Sequence, residues 1–449
     1  MLSNMNRPLR FCMINTFYPP YNFGGDGIFV QRLSNELARR GHSVDVIHCI
    51  DSYRLGASLS SEGCYQDHPN VTVHGLKSPH GFLSPLATHQ TGYPLLKSRR
   101  IQAILKKGFD VIHYHNISLV GGPKILEYGH AIKLYTMHEY WLICPTHALF
   151  RFNRAPCPRP FCCFLCSIVC KRPPQLWRYF GLMEEAVNKV DAFIAPSLTS
   201  QRKHQQLGLN ARIVHLPNFV SLMEAGGSTP GTFDTRATEE RYFLFVGRME
   251  KLKGLHTLIP LFQRYQKAQL WIAGTGSEER SLRELTRGSA NIRFLGHQDA
   301  QHLQILYREA VAVIYPAINF QTGLPQTNSG QGAPLVIMEA FSEKTPVIAS
   351  NLGRIPALIE QTGGGLVYST ERELLAAMDR LLADASHRRE LGLRGYRAYQ
   401  KNWTAEAHLE RYFALIEEIA ANRAALSLNK LLSPDLKIQA AGTQRDSQE

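Results

Sequence analysis

Short β-branched runs alternate with segments of helical period along most of the chain, the pattern of parallel α/β layers. RFCMINTF (10–17) reads as a first strand, YPPYNFGGDG as a loop, and the stretch through QRLSNELARRG as a helix. In that helix Val30, Leu33 and Leu37 share one face and Gly41 supplies a stop. SVDVIHCI, FDVIHYH, IKLYTMH and DAFIAPS read as further strands, each followed by a polar or Gly-containing turn. The segment EAGGSTPGTFDTRATEE (224–240) breaks the rhythm with Gly, Ser, Thr and Pro, as an interdomain linker would. A second series then begins with the strand YFLFVG and the helix GLHTLIPLFQRY, whose Leu255, Leu258, Ile259 and Phe262 share a face. QLWIAG, NIRFLG, VAVIYPA and TPVIAS follow as strands. The pattern predicts an α/β chain of two Rossmann-like, doubly wound domains, residues 1–223 and 241–402, facing across a cleft. WTAEAHLERYFALIEEIAANRAAL (403–426) predicts a long amphipathic helix that packs back on the first domain, with Leu409, Phe413, Ile416 and Ala420 on one stripe. The polar tail, 427–449, is expected to be disordered.

Composition adds limits. An apolar content of 44% in 449 residues supports well-filled cores. No apolar run reaches the roughly 18 residues of a spanning helix. MLSNMNRPLRFCMINTF has no long apolar region with a cleavage site, so it reads as a first strand and not as a signal peptide. Nine cysteines, an odd number, in a chain read this way argue against a disulfide framework and for a reduced, cytoplasmic setting. The formal charge of +13 calls for an anionic partner: phosphates, an anionic membrane surface or nucleic acid. Its distribution matters more. No acid lies between Glu139 and Glu184, where Arg151, Arg154, Arg159, Lys171, Arg172 and Arg178 fall, and LLKSRRIQAILKKG (95–108) holds five basic residues and no acid. No groove-reading or base-stacking motif accompanies this charge, so no nucleic-acid partner is expected.

The second half carries the sharper chemistry. VGRMEKLKG (246–254) ends a strand and opens a helix, placing Arg248 and Lys253 at the strand's carboxyl end, where open α/β sheets bind ligands. Two cations there suit a diphosphate, Arg as a planar fork and Lys as a point charge; alone, they also suit a solvated face. WIAGTGSEERSL (271–282) gives a strand, a Gly-x-Gly turn and a helix. In APLVIMEAF, Pro334 fits a first helical turn. The amides of Leu335 and Val336 would then face an anion, and Glu339 would reach a sugar hydroxyl.

As a set, these motifs, with TPVIAS and NLGRIPALIEQTGGGLVY, resemble the family 4 retaining glycosyltransferases, of GT-B architecture, over most of residues 10–420. The resemblance implies a donor site in which Arg248 and Lys253 hold the diphosphate of a nucleotide-sugar, a UDP- or GDP-sugar. Glu339 would accept from its ribose hydroxyls, and the Phe294–Leu295–Gly296 turn would lie beside the base. It also implies that Gly24 and Gly25, in the loop NFGGDG, lie against the donor phosphates and the acceptor. His138, in TMHEYWLICP, would contact the donor sugar and organise the active site. His113, His115 and Asn116 resemble a second cleft-lining strand end. The family pattern is Glu, seven residues, Glu, and here Gln331 holds the first place after the insertion INFQTGLPQTNSGQG. An amide can donate to and accept from sugar hydroxyls, so Gln331 is read as a donor-sugar ligand.

The implied activity is glycosyl transfer with retention, in polysaccharide or glycoconjugate biosynthesis, with no cofactor or metal required for catalysis. A lipid-linked or glycan hydroxyl would accept the sugar. The competing reading is a catalytically inactive nucleotide-sugar-binding protein of the same fold, for which Gln331 speaks. In the segment 144–170, Cys163-x2-Cys166, Cys157 and the pair Cys144-x2-His147 suit a structural zinc ion held by Cys144, Cys157, Cys163 and Cys166. They equally suit small buried hydrophobes or free thiols. The same basic, aromatic segment and residues 97–107 are read as a docking face for anionic lipid, which would make the protein peripheral at a membrane.

Overall fold

The computed structural model describes residues 7–23, 25–55, 65–152, 155–158, 162–220, 241–316, 335–353 and 355–432. The expected linker 224–240, Gly24, Gln331, Pro334 and the end of the tail lie outside the described residues.

The first domain is built on β1 (Arg10–Ile14), β2 (Ser43–Cys49), β3 (Val71–Leu76), β4 (Val111–Tyr114), β5 (Ile132–Thr136), β6 (Ala192–Ala195) and β7 (Ile213–His215). They form one parallel sheet in the order β3-β2-β1-β4-β5-β6-β7. In β1 every residue after Arg10 is buried, as expected for a strand covered on both faces. The second domain repeats the plan with β8 (Tyr242–Val246), β9 (Gln269–Ala273), β10 (Ile292–Gly296), β11 (Ala312–Tyr315), β12 (Val347–Ser350) and β13 (Gly365–Tyr368). Its order is β10-β9-β8-β11-β12-β13, again parallel throughout. Strand order reverses between β1 and β4 and between β8 and β11, and ligands of such sheets bind at these switch points. β3, β7 and β13 extend the sheets beyond the strands read from sequence. Leu295 belongs to the end of β10 and not to a free turn.

Helix α1 (Gly25–Arg39) follows β1 and buries Phe29, Val30, Leu33 and Leu37. In the second domain α2 (Leu255–Arg264), α3 (Ala300–Glu309) and α4 (Leu335–Ser342) border the site. The last helix, α5 (Ala405–Leu432), runs past Ser427, where a disordered tail was expected to begin. It packs into the core of the first domain through Leu409, Tyr412, Leu415, Ile416 and Ile419, against Leu9, Phe11 and Leu37. The buried stripe is rotated from the expected one: Tyr412 replaces Phe413, which is half-buried, and Ala420 is exposed. Tyr412 is drawn inward because its hydroxyl, 2.9 Å from His113 Nδ1, has a partner there.

The chain passes between the domains at Val220 and returns at Trp403. The two passages touch: the Val220 amide donates to the Trp403 carbonyl at 2.9 Å, and the Tyr399 hydroxyl donates to the Val220 carbonyl at 3.0 Å. Among the described residues no helix is long and apolar enough to cross a membrane.

Candidate functional site

The carboxyl ends of the two sheets meet along helix α1. After β8, Gly247 turns the chain (φ +153°) and Arg248 follows. The Met249 amide donates to Thr275 at 2.9 Å, fastening this turn to the one after β9. Gly274 makes that contact possible: a Cβ there would lie 2.1 Å from the Gly247 carbonyl oxygen. The Gly-x-Gly turn thus supports the segment that carries Arg248.

Lys253 ends a short 3-10 turn (Lys251–Lys253) before α2 and is half-buried. Burial, then the nearby Arg248 charge, pushes its pKa down. Burial lowers that of Arg248 as well. Arg248 keeps about half of its side chain exposed while Lys253 is half-buried, and two cations beside one another favour an anion between them. Arg248 also bonds Glu250 and, across the cleft, the Phe23 carbonyl.

Glu339 lies in α4 and is 6% exposed. Its carboxylate already has partners. The Tyr307 hydroxyl of α3 donates to Oε2 at 2.9 Å, and Arg32 Nη2 of α1 donates to Oε1 at 3.0 Å. Arg32 therefore ties the first domain to the acid expected to receive a ribose. Its Nη1 is buried without a hydrogen-bond partner among the described residues. Leu335 opens α4 opposite the start of α1, where a Cβ at Gly25 would lie 2.9 Å from Leu335 Cδ1. Val336 and Leu295 are half-buried.

In the first domain, His138 stands just beyond β5, packed edge-on to Phe29 of α1 with centroids 5.5 Å apart. Its Nε2 lies 3.0 Å from His115 Nδ1, beyond β4. His113 Nε2 meets Thr136 Oγ1 at 2.8 Å, and its Nδ1 meets Tyr412. Burial pushes the His138 pKa down to about 3, and those of His113 and His115 well below the usual imidazole value, so the three rings are neutral at pH 7. His115 Nε2 is buried without a partner among the described residues. A buried N–H left unpaired costs more than an unused lone pair, which favours the His115 tautomer with its proton on Nδ1. His115 then donates to His138 Nε2, which leaves the His138 proton on Nδ1.

Sequence reasoning passed over two residues here. One is Arg32. The other is Asp26, in the first turn of α1, whose pKa burial and then the Glu139 charge raise to about 6, with a hydrogen bond from Asn116 opposing. Glu139 itself is held by His147 Nδ1 at 2.7 Å. A charged residue beside the Gly pair was the one legible hint of Asp26; nothing local to α1 distinguishes Arg32.

Cys163 lies within electrostatic range of Cys144, Cys157 and Cys166, and burial raises its pKa to about 11. Among the described residues no three Cys, His, Asp or Glu side chains converge on a point that could hold a metal ion.

Two parallel-sheet α/β domains meeting at their carboxyl edges are the fold of the GT-B glycosyltransferases. Residues 23–224 match the family model described as Glycosyltransferase Family 4, and residues 233–398 match that of Glycosyl transferases group 1. The chain belongs to the family 4 glycosyltransferases. It is 23% identical over 430 residues to an uncharacterized glycosyltransferase of Methanocaldococcus jannaschii, covering 90% of this chain and 94% of that one. To the O-antigen chain mannosyltransferase C of Escherichia coli it is 21% identical, with 91% and 98% covered. Among solved structures, sucrose-phosphate synthase from Thermosynechococcus elongatus superposes with a TM-score of 0.67 at 19% identity, covering 92% of this chain and all of that one. HepE from Anabaena, solved with UDP, gives 0.57 at 15% identity over 91% and 99% of the two chains.

Proposed function

We propose that this glycosyltransferase moves a sugar from a nucleoside diphosphate, UDP or GDP, to a hydroxyl of a lipid-linked or glycan acceptor, with retention. The observation that carries the reading is the pair Arg248 and Lys253, a half-exposed guanidinium and a half-buried ammonium adjacent at one strand end, with Arg248 reaching across the cleft to the Phe23 carbonyl. As the bond from the anomeric carbon to the diphosphate oxygen breaks, negative charge grows on the leaving group. The two cations and the α4 amides would stabilise it in place, with no metal ion assigned a part. The acceptor oxygen bonds to the same face of the anomeric carbon, and its proton passes to an oxygen of the leaving diphosphate. His138 presents a neutral N–H to the sugar, and Glu339 binds the ribose once Arg32 yields or shares it. Gln331 contributes an amide to the donor sugar.

Thermal stabilisation by UDP, GDP, ADP and dTDP tests this directly. A saturating match at about 100 times Kd adds about 2.7 kcal/mol of stability. One nucleotide should raise Tm, and Arg248→Ala should abolish the rise. Absence of a shift with all of them would sink the donor-site assignment. A shift without sugar transfer in a screen of donors and acceptors would instead favour the inactive nucleotide-sugar-binding protein.

A further inference from the structure

The first domain leaves large apolar side chains uncovered outside the cleft. Phe180 is 81% exposed, Phe82 60%, Tyr179 57%, Leu165 54%, Leu96 51% and Leu95 50%. They come from three stretches: residues 82–96, the helix Cys163–Val169, and residues 176–180. These are joined in space. Trp177 Nε1 donates to the His89 carbonyl at 2.9 Å, and the Phe164 amide bonds the Tyr179 hydroxyl. The stretches that carry these exposed side chains therefore lie side by side, and apolar side chains gathered in this way mark an interaction surface.

Charge says what covers it. The first stretch lies between Asp67 and Asp110, with no acid in between, and the other two lie in the acid-free run from Glu139 to Glu184. Arg99 and Arg100, just beyond the first stretch, and Lys171 and Arg172, between the other two, are exposed. A second copy of the chain would set this basic face against itself. Leucine and phenylalanine side chains flanked by Arg and Lys suit the headgroup–acyl boundary of an anionic bilayer, where apolar burial and charge attraction act together. All three stretches follow β3 or β5, on the sheet edge that also carries His115 and His138.

We propose that this face seats the first domain on an anionic lipid surface. It deepens the glycosyl-transfer reading by bringing a lipid-borne acceptor to the edge that holds the site, and it is tested apart from that reading. The test is flotation of the full chain with phosphatidylcholine vesicles, with and without phosphatidylglycerol, at low and high salt. The protein should float with the anionic vesicles only, and salt should release it. The double variant Leu96→Glu/Phe180→Glu should lose at least about tenfold in partitioning. Leu393→Glu, an exposed leucine of the second domain, should lose none. Thermal shifts with nucleotide on the same samples show that each variant is folded and report the donor site separately. Flotation without a nucleotide shift would leave this proposal standing and remove the donor-site reading. No flotation at low salt, or equal flotation of the double variant, overturns it. So does a self-association that the double variant abolishes, which would assign the face to a second copy.

Discussion

Glu339 shows how much a single side chain can be asked to do. Its carboxylate is buried, and its charge is tolerated because Tyr307 and Arg32 both donate to it. Arg32→Leu removes one of these partners and should cost about 3 kcal/mol, read as a lower Tm without ligand. The same variant should show a larger nucleotide-induced rise than the natural chain, because ribose hydroxyls no longer compete with a guanidinium. An unchanged rise would mean that the ribose does not reach Glu339. The acid was legible in the sequence as an anomaly, a charge after four apolar residues. Its partners were not. Arg32 lies 307 positions away, and no local pattern announces a contact made only when two domains meet.

At the scale of elements, the strands buried on both faces were the easiest to read, since continuous apolar runs such as FCMI admit few alternatives. The edge strands were hard. β3 exposes Thr72 and Val73 and β7 has three half-buried residues, so neither carries an apolar run. The same limit explains α5, whose helical period was plain while its phase was set by tertiary contacts with β1 and with His113. Two substitutions separate these contacts. Leu409→Ala, deep in the first-domain core, should cost about 3 kcal/mol in denaturant unfolding. Tyr412→Phe, which keeps the packing and loses the bond to His113, should cost about 1 kcal/mol. If both were silent, the helix would be only loosely attached and the packing described here would be wrong.

For the whole molecule, the buried imidazoles dictate a pH response. His113, His115, His138 and His408 are all held below their ordinary pKa by burial, to about 3 for His138 and about 4 for His408. The unfolded chain binds these protons near pH 6.5, at about the free imidazole value, and the folded chain does not. Stability is thus fully present above about pH 6.5 and is lost as pH falls towards the folded values. Asp26 acts oppositely, since its folded pKa of about 6 lets the folded chain take up a proton earlier than the unfolded one. Burial depresses His42, His48, His89 and His204 in the same direction, so the histidines outweigh Asp26; unfolding free energy should fall between pH 6.5 and 4, and fall more steeply in Asp26→Asn. A flat profile over that range would contradict the neutral, buried histidines.

The joined passages at Val220 and Trp403 have a mechanical meaning. Two crossings of the backbone, hydrogen-bonded side by side, behave as a paired pin and not as a single tether. A pin of this kind resists shear of one domain past the other, and so keeps Arg32 of the first domain in register with Glu339 of the second.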